Sequence, residues 1–450
     1  MITYPYLTRI LGPERLGAVQ FVDYTMGLIY SIATIGIPAY GMYRIAQLQS
    51  LGIDSRKLYR SLTGWSIVLS LLGYGLFFLL TKDHSGWFFI HEVIPMGALF
   101  IFANSLSAEW YLQGKERFDI PAIRNLALRL LGLIAIIALI KSPSDYKIYY
   151  WIITITICLS ALVNTLWIRN DLLKHPLQEA NESFKWKELF LFYIGTVFIS
   201  CTDFLDVTLL GIMSSEEQIG LYGNAAKLIR LSLLLPMALN LVVSPKFSGH
   251  HAKGNSMFAT ALLDRSISWI TYLAIPISVL YLLYAKELVW VFSGSAFTGS
   301  IQAIRWMSGI PLFISMSNLL IYYGLSETNT KNKRSIAIGV GTGITISIGL
   351  NYWLIPLFGA IGAAMNSLLI EFGFMLFFLL LLKPSIDWKT QLKTCMTCLA
   401  FIPIYIILDG MELSNLVRLL LGGCTSGVIY LFIQHKIWNH PYITEISKNQ

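Results

Sequence analysis

The run IVLSLLGYGLFFLL at residues 67–80 contains no charged side chain. With its neighbours it approaches the ~20 residues that an α-helix needs to cross a bilayer. Similar runs recur along the chain, for example at residues 372–382. Their apolar residues are continuous and do not alternate with a period of two, which excludes an outer-membrane barrel. The sequence therefore predicts an all-α polytopic membrane protein.

The composition agrees with this prediction and also bears on which binding partners are expected. The 450 residues are 55% hydrophobic and 13% charged, whereas soluble domains carry roughly 25% charged residues. Lys and Arg number 33 against 25 Asp and Glu. In a membrane protein this surplus is first a topology signal, so we predict no nucleic-acid partner. Cys395 and Cys398 have CxxC spacing but no second pair or neighbouring His, so we predict no metal and no cofactor.

Apolar windows predict about thirteen spans, and the charges of the loops predict their orientation. The spans begin near residues 20, 61, 91, 121, 148, 188, 220, 262, 302, 335, 359, 390 and 414. About 23 of the 33 Lys and Arg residues lie in the loops on one side and in the tail. Because basic loops stay in the cytoplasm, the C-terminus is expected there. The opposite loops are short.

An internal repeat divides the chain. The motif at residues 11–17, LG followed by ERLG, is echoed at residues 210–220 by LG followed by EQIG, and the two glutamates Glu14 and Glu217 lie 203 positions apart. Two further echoes follow in the same order, at residues 60–62 and 265–267 and at residues 95–104 and 311–318. Repeats whose equivalent loops face the same side are related by an axis along the membrane normal.

The repeat predicts two parallel six-helix bundles around a central cavity plus two C-terminal helices, about 14 helices in all. The expected parts are a first bundle at residues 1–168, a cytoplasmic linker at 169–188, a second bundle at 189–382, and two extra helices with a cytoplasmic tail at 383–450. The partner of the helix that ends at Leu210 should begin about fifteen residues before Met1. The first helix is therefore expected to be incomplete, through a late start assignment or a real truncation.

Several motifs resemble a known family. They are residues 4–17 (YPYLTRILGPERLG), 36–41 (GIPAYG), 109–114 (EWYLQG), 220–227 (GLYGNAAK) and 351–371, from Asn351 to Glu371. In this order they resemble polysaccharide flippases of the Wzx type, within the multidrug/oligosaccharidyl-lipid/polysaccharide exporter superfamily, over about residues 4–372. One departure is Tyr43-Arg44, where the family commonly has Arg-Glu, so that charge pair is not expected to act here.

The resemblance implies a transporter and not an enzyme. Its cargo would be a lipid-linked oligosaccharide repeat unit on undecaprenyl pyrophosphate, moved from the cytoplasmic to the periplasmic leaflet of the bacterial inner membrane by alternating access. The product would serve surface polysaccharide biosynthesis, as O-antigen of lipopolysaccharide or as capsule. A polysaccharide polymerase and a chain-length regulator are the protein partners that this implies, besides membrane lipid.

Charges inside spans are the candidate cavity residues. A charge at mid-bilayer costs at least ~2.5–3.5 kcal/mol and so normally faces a partner or a water-filled cavity. The candidates for substrate binding are Arg230, Lys227, Asp203, Asp206, Asp23, Glu371, Arg305, Arg129 and Arg9. Arg9 and Arg305 could instead snorkel to the interface, Arg129 could extend the cytoplasmic positive charge, and Glu371 could make a buried structural hydrogen bond.

Two pairs are the sharpest candidates. Asp203 and Asp206 are three residues apart, as are Lys227 and Arg230, so each pair shares a helix face. Their depths would allow ion pairs between Asp206 and Lys227 and between Asp203 and Arg230. These pairs could simply hold two helices together. Alternatively, a guanidinium or ammonium there is available to pyrophosphate, which Arg can bind through bidentate hydrogen bonds.

Two other functions stay open at this point. A cation-coupled multidrug exporter of the same fold would need an acidic site in the first half, for which Asp23 is the mid-span candidate. A membrane-embedded glycan polymerase or ligase would be expected to place reactive residues on a large external loop, and the loops here are short. The sequence has no G-x-x-x-x-G-K-[ST] motif, so ATP hydrolysis is not expected.

Overall fold

The structure is a computed structural model in which the described residues are 3–34, 36–50, 54–81, 88–174, 204–252, 255–326 and 330–437. Within these ranges the chain is helical and contains no β-strand, which confirms the predicted all-α polytopic fold. The helices are α1 Tyr4–Ala33, α2 Ile37–Ser50, α3 Arg56–Thr81, α4 Phe89–Ser107, α5 Glu109–Gly114, α6 Asp119–Leu139, α7 Tyr146–Lys174, α8 Phe204–Met213, α9 Glu216–Ser232, α10 Leu234–Ala252, α11 Ser256–Leu283, α12 Ala285–Phe292, α13 Ser300–Met307, α14 Ile310–Ser326, α15 Thr330–Phe358, α16 Ala360–Leu382, α17 Trp388–Cys398, α18 Phe401–Asp409 and α19 Asn415–Phe432.

Ten helical segments of the described chain are long and apolar enough to cross a membrane. An eleventh is added if α9 and α10, which meet at a 53° bend, form one broken span. The predicted span near residue 188 lies outside the described residues, apart from its end in α8. Helix α1 carries Arg9, Glu14, Arg15 and Asp23 and is not among the ten.

The chain divides into two compact units, Met1–Gly220 and Leu221–Gln450. In the first unit α4 is central and packs against α1, α3 and α7, while α5 packs on α2. A buried cluster around Tyr40, Leu62 and Tyr111 fills the space between α2, α3 and α5. The predicted linker lies largely in residues 175–203, outside the described chain, so the predicted boundaries stay a prediction.

Helix α8 packs on α1 within the first unit. The hydroxyls of Thr25 and Thr208 are 3.2 Å apart, and the rings of Tyr24 and Phe204 meet edge to face. Gly211 lies so close to the ring of Phe21 that a side chain at 211 would collide with it. Small residues of this kind let helix backbones approach closely in membranes.

In the second unit α11, α14 and α16 form the apolar core. Buried side chains such as Ile267, Leu320 and Phe378 belong to one continuous cluster. The C-terminal helices attach at its edge, since α17 packs on α11 and α19 packs on α12. Tyr430 on α19 donates a 2.7 Å hydrogen bond to the carbonyl of Tyr272 on α11.

Two breaks interrupt long helices in the first unit. At Gly12 the backbone adopts φ 72° and ψ 173°, a conformation that is essentially restricted to glycine, and Pro13 restarts the helix. At Ala108 the backbone is left-handed, with φ 40° and ψ 41°, and separates α4 from α5. The first break falls within the repeated motif, and the second immediately precedes Glu109.

Candidate functional site

Lys227 and Arg230 form a basic face on α9. Both are half-buried, whereas the other side chains from Ile219 to Ser232 are buried except for Leu231. Cations at such positions in a membrane protein normally face a partner or a water-filled cavity. A guanidinium and an ammonium three residues apart can together bind a group that carries two negative charges.

The equivalent face of α1 has a different chemistry. With the repeat offset of 203, Lys227 and Arg230 correspond to Tyr24 and Gly27. Asp23, Tyr24 and Gly27 are half-buried, although residues 16–22 before them are buried. Asp23 also lies within electrostatic range of Tyr149 on α7. The first repeat therefore carries an acid with tyrosines where the second carries two cations.

Asp206 and Glu371 lie within helices, as their predicted depth requires. Asp206 is buried on α8, and Glu371 is half-buried on α16. Asp203 lies outside the described residues, so the predicted pairing of Asp203 with Arg230 stays a prediction, as does that of Asp206 with Lys227. Arg305 is half-buried on α13, within electrostatic range of Tyr405.

Arg9 and Arg129 lie on exposed surfaces. The Nη1 atom of Arg9 donates a 2.9 Å hydrogen bond to the carbonyl of Pro5 in its own helix. Arg129 is exposed on α6 beside the exposed Leu126 and Leu130. The structure thus brings neither guanidinium into the interior of the first unit.

The buried cation of α6 is Arg124, which was not among the predicted site residues. Its Nη2 atom donates a 2.7 Å hydrogen bond to Oε2 of Glu109, and its Nη1 atom contacts Oδ1 of Asn164. The sequence gives the helical face on which Arg124 lies but not the helix against which that face packs. Positions 121, 124 and 128 share one helical face and are buried together, whereas position 129 does not lie on that face.

A second buried ion cluster lies in the second unit. Arg418 on α19 contacts Oδ1 of Asp409 at 2.7 Å and Oε1 of Glu287 at 3.3 Å. It also donates a 3.1 Å hydrogen bond to the carbonyl of Met411. The Glu287 side chain on α12 is fully buried. This cluster fastens the last two helices to α12 and offers little surface to a ligand.

Comparison with known proteins places these features in a family. The family described as "Polysaccharide biosynthesis protein" matches residues 1–251, which is more than half of the chain. The chain belongs to this polysaccharide biosynthesis protein family. The matched region includes the repeated motif, α1, Glu109, and the basic face of α9.

Two curated relatives of this family member cover most of its length. The "Putative O-antigen transporter" of Escherichia coli K12 is 26% identical over an alignment of 394 positions, and the match covers 82% of this chain and 89% of that protein. The "Probable low-salt glycan biosynthesis flippase Agl15" of Haloferax volcanii is 22% identical over an alignment of 378 positions, and the match covers 81% of this chain and 75% of that protein. Such relatives indicate a membrane transporter and not an enzyme.

Two solved structures share the fold of this family member. The lipid II flippase MurJ in an inward closed conformation has a TM-score of 0.68 at 13% identity, covering 96% of this chain and 97% of MurJ. An inward-facing MATE multidrug resistance transporter of the MOP superfamily has a TM-score of 0.63 at 14% identity, covering 86% of this chain and 96% of that structure. These likenesses confirm the helical polytopic transporter fold that the sequence predicts.

Proposed function

We propose that this protein is a flippase for a lipid-linked oligosaccharide. Its cargo would be a repeat unit on undecaprenyl pyrophosphate, carried by alternating access from the cytoplasmic to the periplasmic leaflet of a bacterial inner membrane. The repeat unit would then enter O-antigen or capsule synthesis through a polymerase and a chain-length regulator. Family membership and the names of the relatives support the class of cargo.

The basic face of α9 is the observation that carries this proposal. A lipid-linked oligosaccharide presents two phosphates at the point where its sugars meet the prenyl chain, so its carrier needs cations within the membrane. Lys227 and Arg230 supply two cations on one helical face, and both are half-buried on a helix whose neighbouring side chains are buried. The guanidinium of Arg230 can bind two phosphate oxygens at once, and Lys227 can add a point charge.

The repeat supports a matching proposal for the organisation of the chain. We retain the division into bundles at residues 1–168 and 189–382, joined by a cytoplasmic linker at 169–188 and followed by two further helices and a cytoplasmic tail at 383–450. The loop charges support a cytoplasmic C-terminus. A reporter enzyme that is active only in the periplasm, fused after the final helix, tests this orientation. The reporter should be inactive if the C-terminus is cytoplasmic.

The test of function is the exchange of Arg230 for Lys. Because the ammonium group of Lys keeps the charge but cannot make the bidentate contact with phosphate, Arg230→Lys should lower transport at least about tenfold. The measurement is accumulation of lipid-linked repeat units and loss of surface polymer, normalised to the amount of protein in the membrane. Arg117→Lys is the matched control, since Arg117 is exposed in a loop and forms an exposed ion pair with Asp119.

Two results would contradict the proposal. Full transport by the double variant Arg230→Ala/Asp203→Ala would leave Arg230 with a structural ion pair only. A deletion strain with normal surface polymer but altered resistance to cationic drugs would indicate the multidrug exporter instead. In that case Asp23, and not Arg230, should be the residue whose loss abolishes export.

A further inference from the structure

Glu109 stands at a strained break inside the first unit. Ala108 just before it has a left-handed backbone, at φ 40° and ψ 41°, which costs a residue with a side chain on the order of 1 kcal/mol or more. The break turns the chain from α4 into α5, so Glu109 begins a new helix within a segment that is otherwise one span. Strain of this kind persists only where the surroundings fix it.

A chain of buried hydrogen bonds holds the Glu109 carboxylate in one position. Arg124 donates to Oε2 of Glu109 at 2.7 Å and also contacts the side-chain oxygen of Asn164. Asn164 in turn donates a 2.8 Å hydrogen bond to the carbonyl of Ser107. The Arg124 side chain is only 5% exposed, so its guanidinium depends on these partners. The carboxylate is therefore pre-organised by groups that cannot themselves reach a ligand.

The other edge of the same carboxylate is open. The Glu109 side chain is 37% exposed, and within the described chain its Oε1 atom accepts no hydrogen bond. Tyr30 lies within electrostatic range of Glu109 and is half-buried. One edge of the carboxylate is thus held by Arg124, and the other edge can accept a hydrogen bond from a ligand.

The chemistry of the accessible edge of the Glu109 carboxylate determines which ligand groups it can bind. An ionised carboxylate only accepts hydrogen bonds, so its partner must donate them. A phosphate would be repelled. Because Arg124 already balances the negative charge, a neutral hydroxyl is favoured over a free cation. Tyr30 adds a hydroxyl that can donate or accept.

We propose that Glu109, with Tyr30 beside it, binds a ring hydroxyl of the sugar carried by the cargo. This inference rests on the proposed function and adds to it a recognition site for the glycan, separate from the cations of α9. The Oε1 atom of Glu109 accepts a hydrogen bond from the sugar hydroxyl, while Arg124, Asn164 and Ser107 hold the carboxylate in place. Arg124 is a positioning residue in this arrangement, because it acts on the sugar through Glu109.

The experiment compares two lipids on the purified full-length protein in detergent. One is undecaprenyl pyrophosphate, and the other is the lipid-linked repeat unit extracted from a strain that lacks this transporter. The wild type should bind the sugar-bearing lipid more tightly. Glu109→Gln should weaken that binding by about tenfold while leaving the affinity for undecaprenyl pyrophosphate unchanged, since a charge-assisted hydrogen bond is lost. Asp119→Asn, which removes an exposed carboxylate only ten residues away, should change neither affinity.

A second variant separates binding from folding. Glu109→Gln/Arg124→Gln removes both charges and keeps hydrogen-bonding groups, so it should regain thermal stability while the preference for the sugar-bearing lipid stays lost. Recovery of that preference in the double variant would overturn the subsite. Equal wild-type affinity for the two lipids would also overturn it but leave the proposed function standing. Wild-type binding to neither lipid would overturn the proposed function itself.

Discussion

Gly17 and Gly220 make a reciprocal contact in the first unit. A Cβ atom added to Gly17 would lie 2.0 Å from the carbonyl oxygen of Glu216, and one added to Gly220 would lie 1.9 Å from the carbonyl oxygen of Pro13. Both glycines are 203 positions apart, and so are Pro13 and Glu216. Each half of the repeat therefore presents the same glycine to the same backbone position of the other half. This local two-fold symmetry is independent support for the repeat.

Substitution at this contact should destabilise the protein. Gly17→Ala and Gly220→Ala each place a methyl group against backbone atoms, which cannot move aside as a flexible side chain could. We expect each to lower the free energy of unfolding by about 1–3 kcal/mol. The double variant should cost less than the sum, because one methyl group already separates the two turns.

The measurement is thermal unfolding of the purified protein in detergent. Gly64→Ala is the matched control, since Gly64 lies in α3 and, beyond the backbone of α3 itself, no atom of the described residues lies within 4 Å of an added Cβ. It should leave stability unchanged or raise it by up to about 1 kcal/mol, because Ala favours a helix over Gly. Strictly additive losses in the double variant would mean that the two glycines are not in one contact.

Glycine should be required at position 12 because of its backbone conformation, and not because a side chain would collide with a neighbour. Apart from its chain neighbours and its own helix backbone, no atom of the described chain lies within 4 Å of a Cβ added there, but the φ of 72° and ψ of 173° suit glycine alone. Gly12→Ala should therefore lower stability by about 1–3 kcal/mol in the same unfolding measurement, with Gly64→Ala again as the control. An unchanged melting temperature would show that the break between the two parts of α1 is not strained.

The sequence predicted the features that depend on composition and spacing. Long apolar runs such as residues 67–80 predicted membrane helices, because the length of a span follows directly from the thickness of a bilayer. The repeat of Gly17 and Gly220 was visible as a motif, since identical backbone contacts in two halves require the same small residue. The shared helical face of Lys227 and Arg230 followed from their spacing.

The pairing of buried charges could not be predicted in the same way. Arg124 and Arg129 both lie within one apolar helix, and only the packing of α6 on α7 decides which of them meets Asn164. Arg418 and Glu287 are 131 positions apart, so no local pattern connects them. The left-handed backbone at Ala108 was also invisible, because alanine normally favours a continuous helix.

Glu216 should stabilise the start of α4. Its Oε1 atom accepts hydrogen bonds from the backbone N–H groups of Phe89 at 2.7 Å and Ile90 at 2.8 Å. These are among the unpaired donors of a helix N-terminus, where a negative charge is also favourable. Glu216→Ala should lower the free energy of unfolding by about 1–2 kcal/mol.

Glu217→Ala is the control for this prediction, since Glu217 is exposed on the next position of the same helix. Hydrogen exchange gives a local readout. The Phe89 and Ile90 amides should exchange faster in Glu216→Ala than in Glu217→Ala. If the two variants showed the same exchange rates, the cap would not contribute to the stability of α4.

Arg418 should be essential for attaching the last two helices. Its side chain is 10% exposed and neutralises Glu287, which is fully buried, whereas its other partner Asp409 is 51% exposed. Arg418→Ala leaves a buried carboxylate without a counterion, and we expect a loss of about 3–5 kcal/mol. Asp409→Asn should cost no more than about 1 kcal/mol, because the exposed partner keeps its contact with water.

The double variant Arg418→Gln/Glu287→Gln tests the physical reason for that loss. It removes both charges together, so no buried carboxylate remains unpaired, and most of the stability lost in Arg418→Ala should return. The measurements are the melting temperature in detergent and protease cleavage near the loop between α18 and α19, which should increase only in Arg418→Ala. If Arg418→Ala and Asp409→Asn proved equally mild, the cluster would be a weak surface pair, and the attachment of α19 to α12 would rest on apolar packing alone.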